Sequence, residues 1–508
     1  MKNKSYFDDL FIFDMANNHQ GSVEHGLEII KSISEVCNRK GCRGAMKFQY
    51  RQLDTFIHPD FKNAKQPKHI PRFLDTHLSP DQFSDLVDEV KRNGLQAMCT
   101  PFDEESVGII ERHNIDIIKI ASCSASDWPL LERVAKSKKP VVCSTAGLLI
   151  DDIDNVVSFF RHKNIRLAIM HCVAVYPTLI DDLQLNQIDL LKERYPFLPI
   201  GFSTHEEPSN MTAVKIAVSK GAKLLERHVG VVTDKISLNA YSSTPKQIGN
   251  WLDAAIEAKK MCGANARLHP KEEEIDSLYS LKRGVYAKTD ICKGEKLDRN
   301  KVFFAMPLQK DQLHSGNFSE GYVVGRDYKV GKPLMQDEID QRDLLKITYS
   351  LIHQAKGMLY QARIPIGRKF SVELSHHYGI EKFSEVGAIV IDCINRKYCK
   401  KLIIQVPNQF HPYHYHKLKE ETFQVLWGEL LLNLEGENHI LKSGDQIVVG
   451  QGKKHSFTTK TGVIFEEIST THHGNDSFYD DTKVYSDKSF RKTKLDNALF
   501  TFEQYDII

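Results

Sequence analysis

Long hydrophobic runs are missing from this chain. No apolar stretch reaches the roughly 18–20 residues that a spanning helix requires, so no membrane partner is expected. The opening MKNKSYFDDLFIFDMANNH sets acids where a secretory signal needs an unbroken apolar core, which predicts a cytoplasmic protein. An excess of charge of one sign is missing too. Lys plus Arg is 68 and Asp plus Glu is 66, a formal net charge of +2, which gives nucleic acid no electrostatic reason to bind. Closely paired cysteines are also absent. The ten cysteines stand singly, several inside strand-like runs (Cys99, Cys123, Cys143, Cys172), as buried thiols in a reducing compartment do. No internal repeat or low-complexity tract is found. What is present is ordinary globular composition, 41% hydrophobic and 26% charged. The 508 residues predict about three domains, at roughly 150 residues each.

The first 265 residues alternate short apolar or β-branched runs with segments of helical period. The runs are FIFDMA (11–16), GAMKFQY (44–50), QAMCTPF (96–102), IDIIKIAS (115–122), KPVVCSTAG (139–147), IRLAIMHCVA (165–174), PIGFSTH (199–205) and AKLLERHVG (222–230). Segments such as SPDQFSDLVDEVKRNG and DEESVGIIERHN lie between them, opening on a cap-like Ser or Asp and closing on Gly or Asn. TPKQIGNWLDAAIEAKKMCG supplies the eighth helix. Eight βα units in about 250 residues predict an α/β fold, a TIM barrel over 1–265. A doubly wound open sheet shares the alternation but rarely carries eight units at this spacing. LHPKEEEID (268–276) reads as linker, within 266–279. A strand-rich stretch with turns at CKGE and VGKP predicts a small β module over 280–345. Residues 346–508 begin ambiguously and then alternate strands with Gly turns, as an all-β third domain does.

Active sites of TIM barrels form at the C-terminal ends of the strands. There the sequence sets Asp14 followed by Asn18 and His19, and Lys47 with Gln49 on one face of strand 2. Lys119, His171, Tyr176, Ser203 with His205, and Glu226-Arg227-His228 come from later strands. A lysine inside an apolar strand is costly unless it finds an anion or loses its proton. A neighbouring carboxylate would account for one such lysine. Two, on strands 2 and 4 near the functional face, point to a bound phosphate or carboxylate. Thr100, Ser122 and Ser144 add small donors at strand ends. A lone His at a strand end is usually structural, but His205 and His228 close adjacent strands and suit a catalytic metal site with open positions. Phosphate donors beside an open Lewis acid suggest a phosphorylated substrate meeting a carbonyl electrophile.

The order DMANNHQG, MKFQ, CTPFD, KIAS, VVCSTAG, HCVAVYPT, GFSTH and ERH resembles the sialic acid synthase family. The resemblance covers the barrel, and the small β module is similar to that family's antifreeze-like (SAF) domain. It implies condensation of phosphoenolpyruvate with N-acetylmannosamine or a related aldose. It assigns Lys47, Gln49, Lys119 and Ser122 to the phosphate and carboxylate of phosphoenolpyruvate, Thr100, Ser144, Tyr176 and Ser203 to further pocket positions, and Asp14 to the acidic residue of strand 1. It makes His205 and His228 ligands of a divalent metal, manganese or magnesium, and implies a domain-swapped homodimer. The chain also departs from the family. Asp14 stands for Glu, Ser124 for Glu and Ala174 for Asn, and FFAMPLQ (303–309) lacks the Arg by which a partner's SAF domain closes the site. These differences lie on the sugar side, which implies an aldose other than plain N-acetylmannosamine.

In the third domain, His414-x-His416, then Glu421 and Gly428, fits the first cupin motif. Gly444, then Gly450-x-Gly452 and His455, fits the second, with Gly450 replacing the usual Pro; together the motifs span 411–456. Two imidazoles two residues apart share a strand face, and a hairpin can bring Glu421 and His455 to the same point. His414, His416, Glu421 and His455 suit a second divalent metal, Mn, Fe, Ni or Zn. Nearby His411 reads as a solvated loop residue. The sequence thus predicts a transferase making a nonulosonic 2-keto-3-deoxy sugar acid from phosphoenolpyruvate and an amino-sugar-type aldose. The competing reading is a cupin-based sugar isomerase or epimerase with the barrel reduced to sugar binding.

Overall fold

The computed structural model describes residues 5–62, 69–265, 267–340, 344–367, 369–481, 483–484 and 491–495. The chain divides into two compact units, 1–268 and 269–508. The first is the expected barrel. Its parallel strands are β1 (Leu10–Asp14), β2 (Arg43–Tyr50), β3 (Gln96–Pro101), β4 (Ile117–Ile120), β5 (Val141–Ser144), β6 (Leu167–Cys172), β7 (Ile200–Thr204) and β8 (Leu224–His228). Each pairs with its neighbour in sequence, and β8 closes on β1.

Period-2 alternation divides every strand between two environments. Side chains such as Phe13, Met46, Cys99, Ile118 and Phe202 join the buried layer under the helices. Leu10, Ile12, Ala45, Met98, Ile117, Val142, Ala168, Met170 and Leu224 form a separate apolar plug. The same alternating series continues one step further along the strands into Asp14, Lys47, Thr100, Lys119, Ser144, Ser203 and Glu226, all buried. The barrel therefore has an apolar floor and a polar mouth. Gly201 is required at the β7–β8 contact, because a Cβ there would lie 2.6 Å from Leu224. Capping boxes at Ser79/Gln82 and Thr244/Gln247 fix the starts of helices Pro80–Arg92 and Pro245–Cys262.

In the second unit, residues 272–280 form a helix, Glu272–Ser280, where the sequence predicted linker. Its first turn carries Glu272, Glu273 and Glu274, which complement the positive end of the helix dipole. Antiparallel pairs β9 (Gly284–Ala287) with β10 (Val302–Ala305), and β11 (Val323–Val324) with β12 (Ile339–Asp340), surround a small core that includes Val285, Leu297, Leu313 and Leu334.

The ambiguous start of the third region is a 19-residue helix, Leu344–Ala362. It sets Leu351, Ile352, Ala355, Met358 and Leu359 against the outer face of the sheet beyond it. That sheet comprises β13 (Ser371–Ser375), β14 (Ala388–Asn395), β15 (Tyr398–Gln405), β16 (Phe410–Tyr415), β17 (Glu421–Leu434), β18 (Glu437–Lys442), β19 (Gln446–Val449), β20 (His455–Thr458), β21 (Val463–Thr470), β22 (Phe478–Tyr479) and β23 (Lys492–Leu495). Its order is β22-β16-β20-β17-β21-β15-β14-β13-β23, with β18 and β19 added to β17. The long β17 pairs with β21 and β19 through its first half and with β18 and β20 through its second. The bend between them falls at Gly428, with φ +84°, where a Cβ would meet the Gly462 carbonyl oxygen at 2.3 Å. Only glycine suits that position.

Candidate active site and candidate metal centre

Register builds the barrel mouth. Asp14 is the Cα partner of Lys47 on one side and of His228 on the other, so three side chains from β1, β2 and β8 meet at one level. Lys47 Nζ lies 2.9 Å from Asp14 Oδ2 and 2.9 Å from Glu226 Oε1. Lys119 Nζ donates to Ser144 Oγ at 2.5 Å and lies 3.7 Å from Glu226 Oε2. His228 Nε2 stands 3.3 Å from Asp14 Oδ2. Internal carboxylates thus face both buried lysines, as the simpler reading expects, and the lysines share the mouth with His228.

The charge states follow from these contacts. Burial works against the Lys47 ammonium, but Asp14 and Glu226 outweigh it and hold its pKa above the ordinary lysine range. Burial would raise Glu226; Lys119 and then Lys47 instead keep its pKa low. His205 is held neutral, its pKa lowered to about 3 by burial and by His228. Its Nδ1 must donate to the Val173 carbonyl at 2.9 Å, which leaves Nε2 as a free lone pair. The His205 and His228 rings are 5.3 Å apart, with Tyr176 4.2 Å from His205 and Tyr241 5.1 Å from His228. Neutral imidazoles beside a carboxylate form a donor set that fits a divalent cation.

The other predicted positions are placed as follows. Ser122 Oγ accepts from the Ala146 N–H at 2.9 Å, and Gln49 Oε1 accepts from Arg51 at 2.7 Å. Thr100 Oγ1 is buried without a partner, and Ser203 is buried on β7 beside Glu226 on β8. His171 is not part of the mouth. It bonds the Leu183 carbonyl at 2.8 Å and stacks on Phe202, a structural role. Glu226 is the residue that sequence reasoning left without a role, although period 2 put it on the face of His228.

The cupin cavity is a tighter arrangement. Nδ1 of His414 bonds the Pro412 carbonyl at 2.9 Å, Nδ1 of His416 that of Asp476, and Nδ1 of His455 that of Lys453 at 3.2 Å. Carbonyls only accept, so each Nδ1 carries the proton and each Nε2 is free to ligate. Ligand atoms of these three residues lie within 4.8 Å of one another, the one such cluster among the described residues. Glu421 completes the set, 3.4 Å from His416 Nε2 and 3.3 Å from His455 Nε2. Glu421 Oε2 and His455 Nε2 are buried with no hydrogen-bond partner, as atoms that await a cation would be.

Two features there were not anticipated. Lys419 pairs with Glu421 and, at 2.9 Å, with Glu467, so a buried ammonium adjoins the donor set. His411 is buried, not the solvated loop residue expected: it stacks on Phe457 and bonds His377 at 3.0 Å. A register irregularity in β16 between His411 and His414 turns both inward, where strict alternation would separate them.

Comparison with known proteins places this geometry. The model of the NeuB family matches residues 35–267, and that of the cupin domain matches 402–466. A solved Chromobacterium violaceum chain, described as a spore coat polysaccharide biosynthesis protein E, is 47% identical with TM-score 0.63, covering 66% of this chain and all of that one. The chain belongs to the NeuB family. Uncharacterized protein MJ1065 of Methanocaldococcus jannaschii is 30% identical over 57% of this chain and 82% of that protein. Pseudaminic acid synthase of Campylobacter jejuni is 27% identical over 64% of this chain and 95% of that enzyme. The NeuB match contains every mouth residue from Lys47 to His228, and the cupin match contains all four candidate ligands. No described helix is long and apolar enough to cross a membrane.

Proposed function

We propose that the NeuB barrel condenses phosphoenolpyruvate with an amino-sugar-type aldose, giving a nonulosonic 2-keto-3-deoxy sugar acid and phosphate. One observation carries this reading: Lys47, Lys119, Asp14, Glu226, His205 and His228 meet in a single polar mouth above an apolar floor. Pseudaminic acid synthase, a relative, makes a sugar acid of this class. Lys119 with Ser144, and Lys47, bind the phosphate and carboxylate of the enol, with Gln49, Thr100, Ser122 and Ser203 around them. The enol C3 attacks the open-chain aldehyde, water adds at C2, and phosphate leaves by C–O cleavage. Asp14, 2.9 Å from Lys47 Nζ, is the carboxylate that takes the proton of that water. Tyr176 lies over His205 on the sugar side. A manganese or magnesium ion held by His205 and His228 would polarise the aldehyde.

In the same reading residues 1–265 are the catalytic domain, 280–345 an antifreeze-like module and 346–508 a cupin. The enzyme works in the cytoplasm as a homodimer. The cupin's His414, His416, Glu421 and His455 hold a second metal and recognise or prepare the sugar. Phosphate release from phosphoenolpyruvate, measured with a panel of aldoses with and without manganese, tests the proposal. Aldose-dependent release that Lys119→Met abolishes supports it. Turnover with no aldose, or release unaffected by Lys119→Met, overturns it.

A further inference from the structure

The barrel mouth holds a cation with which none of its described carboxylates pairs. Lys47 and Lys119 face Asp14 and Glu226, two charges against two. Arg51 has no ion-pair partner among the described residues. Its guanidinium carbon lies 4.1 Å from the ring centre of Phe73 and 3.8 Å from that of Phe102. One N–H meets a neutral acceptor, Gln49 Oε1 at 2.7 Å, and Nε is buried with no partner. Asp14 and, less strongly, Asp103 exert some field there, but Asp14 is engaged by Lys47 and His228, and Asp103 spends its oxygens on the Gln52 N–H at 2.8 Å and the Ser106 N–H at 2.7 Å. Residues 63–68 lie outside the described residues and contain no carboxylate.

A desolvated guanidinium with an unanswered N–H is costly, and packing alone does not require it, since Met or Leu would fill space between two phenyl rings. Aromatic rings against its faces leave the in-plane edge for hydrogen bonding, the edge that takes carboxylate or phosphate as a fork. Arg72 adds a second cation on that side without an ion-pair partner among the described residues. Its charge is felt at His19 and at Tyr241, whose ring adjoins His205 and His228.

Position selects the ligand. Arg51 follows Lys47 by four residues on β2 and its continuation, about 13 Å further out at roughly 3.3 Å per residue. Phosphoenolpyruvate lies at the lysines, so the outer guanidinium meets the far end of the second substrate.

We propose that Arg51 is a specificity-determining residue that binds an anionic group, phosphate or carboxylate, at the distal end of the acceptor aldose. This rests on the condensation reading, so the test separates the two. Full-length protein and its Arg51→Met and Arg51→Lys variants are assayed with N-acetylmannosamine, its 6-phosphate and a uronic-acid aldose. Binding of the same sugars and of inorganic phosphate is measured by calorimetry without phosphoenolpyruvate. The wild type favours an anionic sugar over its neutral counterpart by at least about tenfold in both measurements. Arg51→Met erases that preference, mostly by raising the KM for the anionic sugar to that of its neutral counterpart, and Arg51→Lys restores part of it. Phosphate and uronate arms show which anion is read. Equal preference in the wild type, a preference that survives Arg51→Met, or a rise confined to the KM for phosphoenolpyruvate overturns the assignment. Failure of every sugar to turn over would sink the condensation reading alone, and the binding measurements would still judge Arg51.

Discussion

The two candidate sites bury the same kind of pair, an ammonium against a glutamate, and use it differently. In the barrel, Glu226 is shared by Lys47 and Lys119 at the level of two histidines. In the cupin, Lys419 bridges Glu421 and Glu467 beside three histidines whose free nitrogens converge. Three imidazoles oriented by carbonyls form a donor set that could hold a metal without help from substrate. Two imidazoles and a carboxylate shared with a lysine leave positions open for substrate. The difference suggests a resident ion in the second unit and an ion that binds with substrate in the first.

The pairs should break unequally. Glu226→Ala strips Lys119 of its one described carboxylate and Lys47 of one of two, and should cost about 3–5 kcal/mol of stability. Glu421→Ala leaves Lys419 its contact with Glu467 and should cost less. Urea unfolding of the two variants measures the gap, and equal losses would erase the distinction.

Metal should sharpen the contrast. Adding Mn or Zn at about 100 times the dissociation constant should stabilise the cupin unit by about 2.7 kcal/mol. His455→Ala should remove that shift in thermal unfolding, whereas His205→Ala should leave it in place.

Acid should act on both units, because their buried histidines are neutral. Burial lowers His377 and His472 to about 3 in the cupin and His205 to about 3 in the barrel, against 6.5 when unfolded. The unfolded chain binds more protons in that window. Stability is therefore complete above about pH 6.5 and is lost progressively as the pH falls toward 3. The urea midpoint of metal-free protein should fall between pH 7 and pH 5, with the histidine-dense cupin unfolding first. A flat profile would contradict this. The smallest effect should come from a helix start: Ser79→Ala removes one helix cap and should cost about 1 kcal/mol.

Much of this was legible before any coordinates. Alternation gave eight strands, and period 2 put Lys47 with Gln49. The His414-x-His416, Glu421 and His455 spacing named the cupin donors because those ligands sit on strands joined by local turns. What stayed hidden depends on contacts distant in sequence. Lys47 and Glu226 are 179 residues apart, and Lys419 and Glu467 are 48. Neither partnership has a local signature. His411 was misread because an irregularity in β16 broke the alternation. The helix Glu272–Ser280 was missed because its charged start reads as linker; Ile275, Leu278 and Tyr279 do stand at helical spacing, but the helix buries none of them. The unpaired state of Arg51 became visible only with Phe73 and Phe102 beside it.

The claim that the barrel mouth performs the condensation is tested most directly by an isotope. Phosphoenolpyruvate labelled with ¹⁸O in its bridging oxygen is turned over with an acceptor aldose, and the phosphate is analysed by mass spectrometry. C–O cleavage at this site predicts that the label leaves in the phosphate only when aldose is present, and that Lys119→Met releases none. Label kept in the sugar product, or release that ignores the aldose, would contradict it.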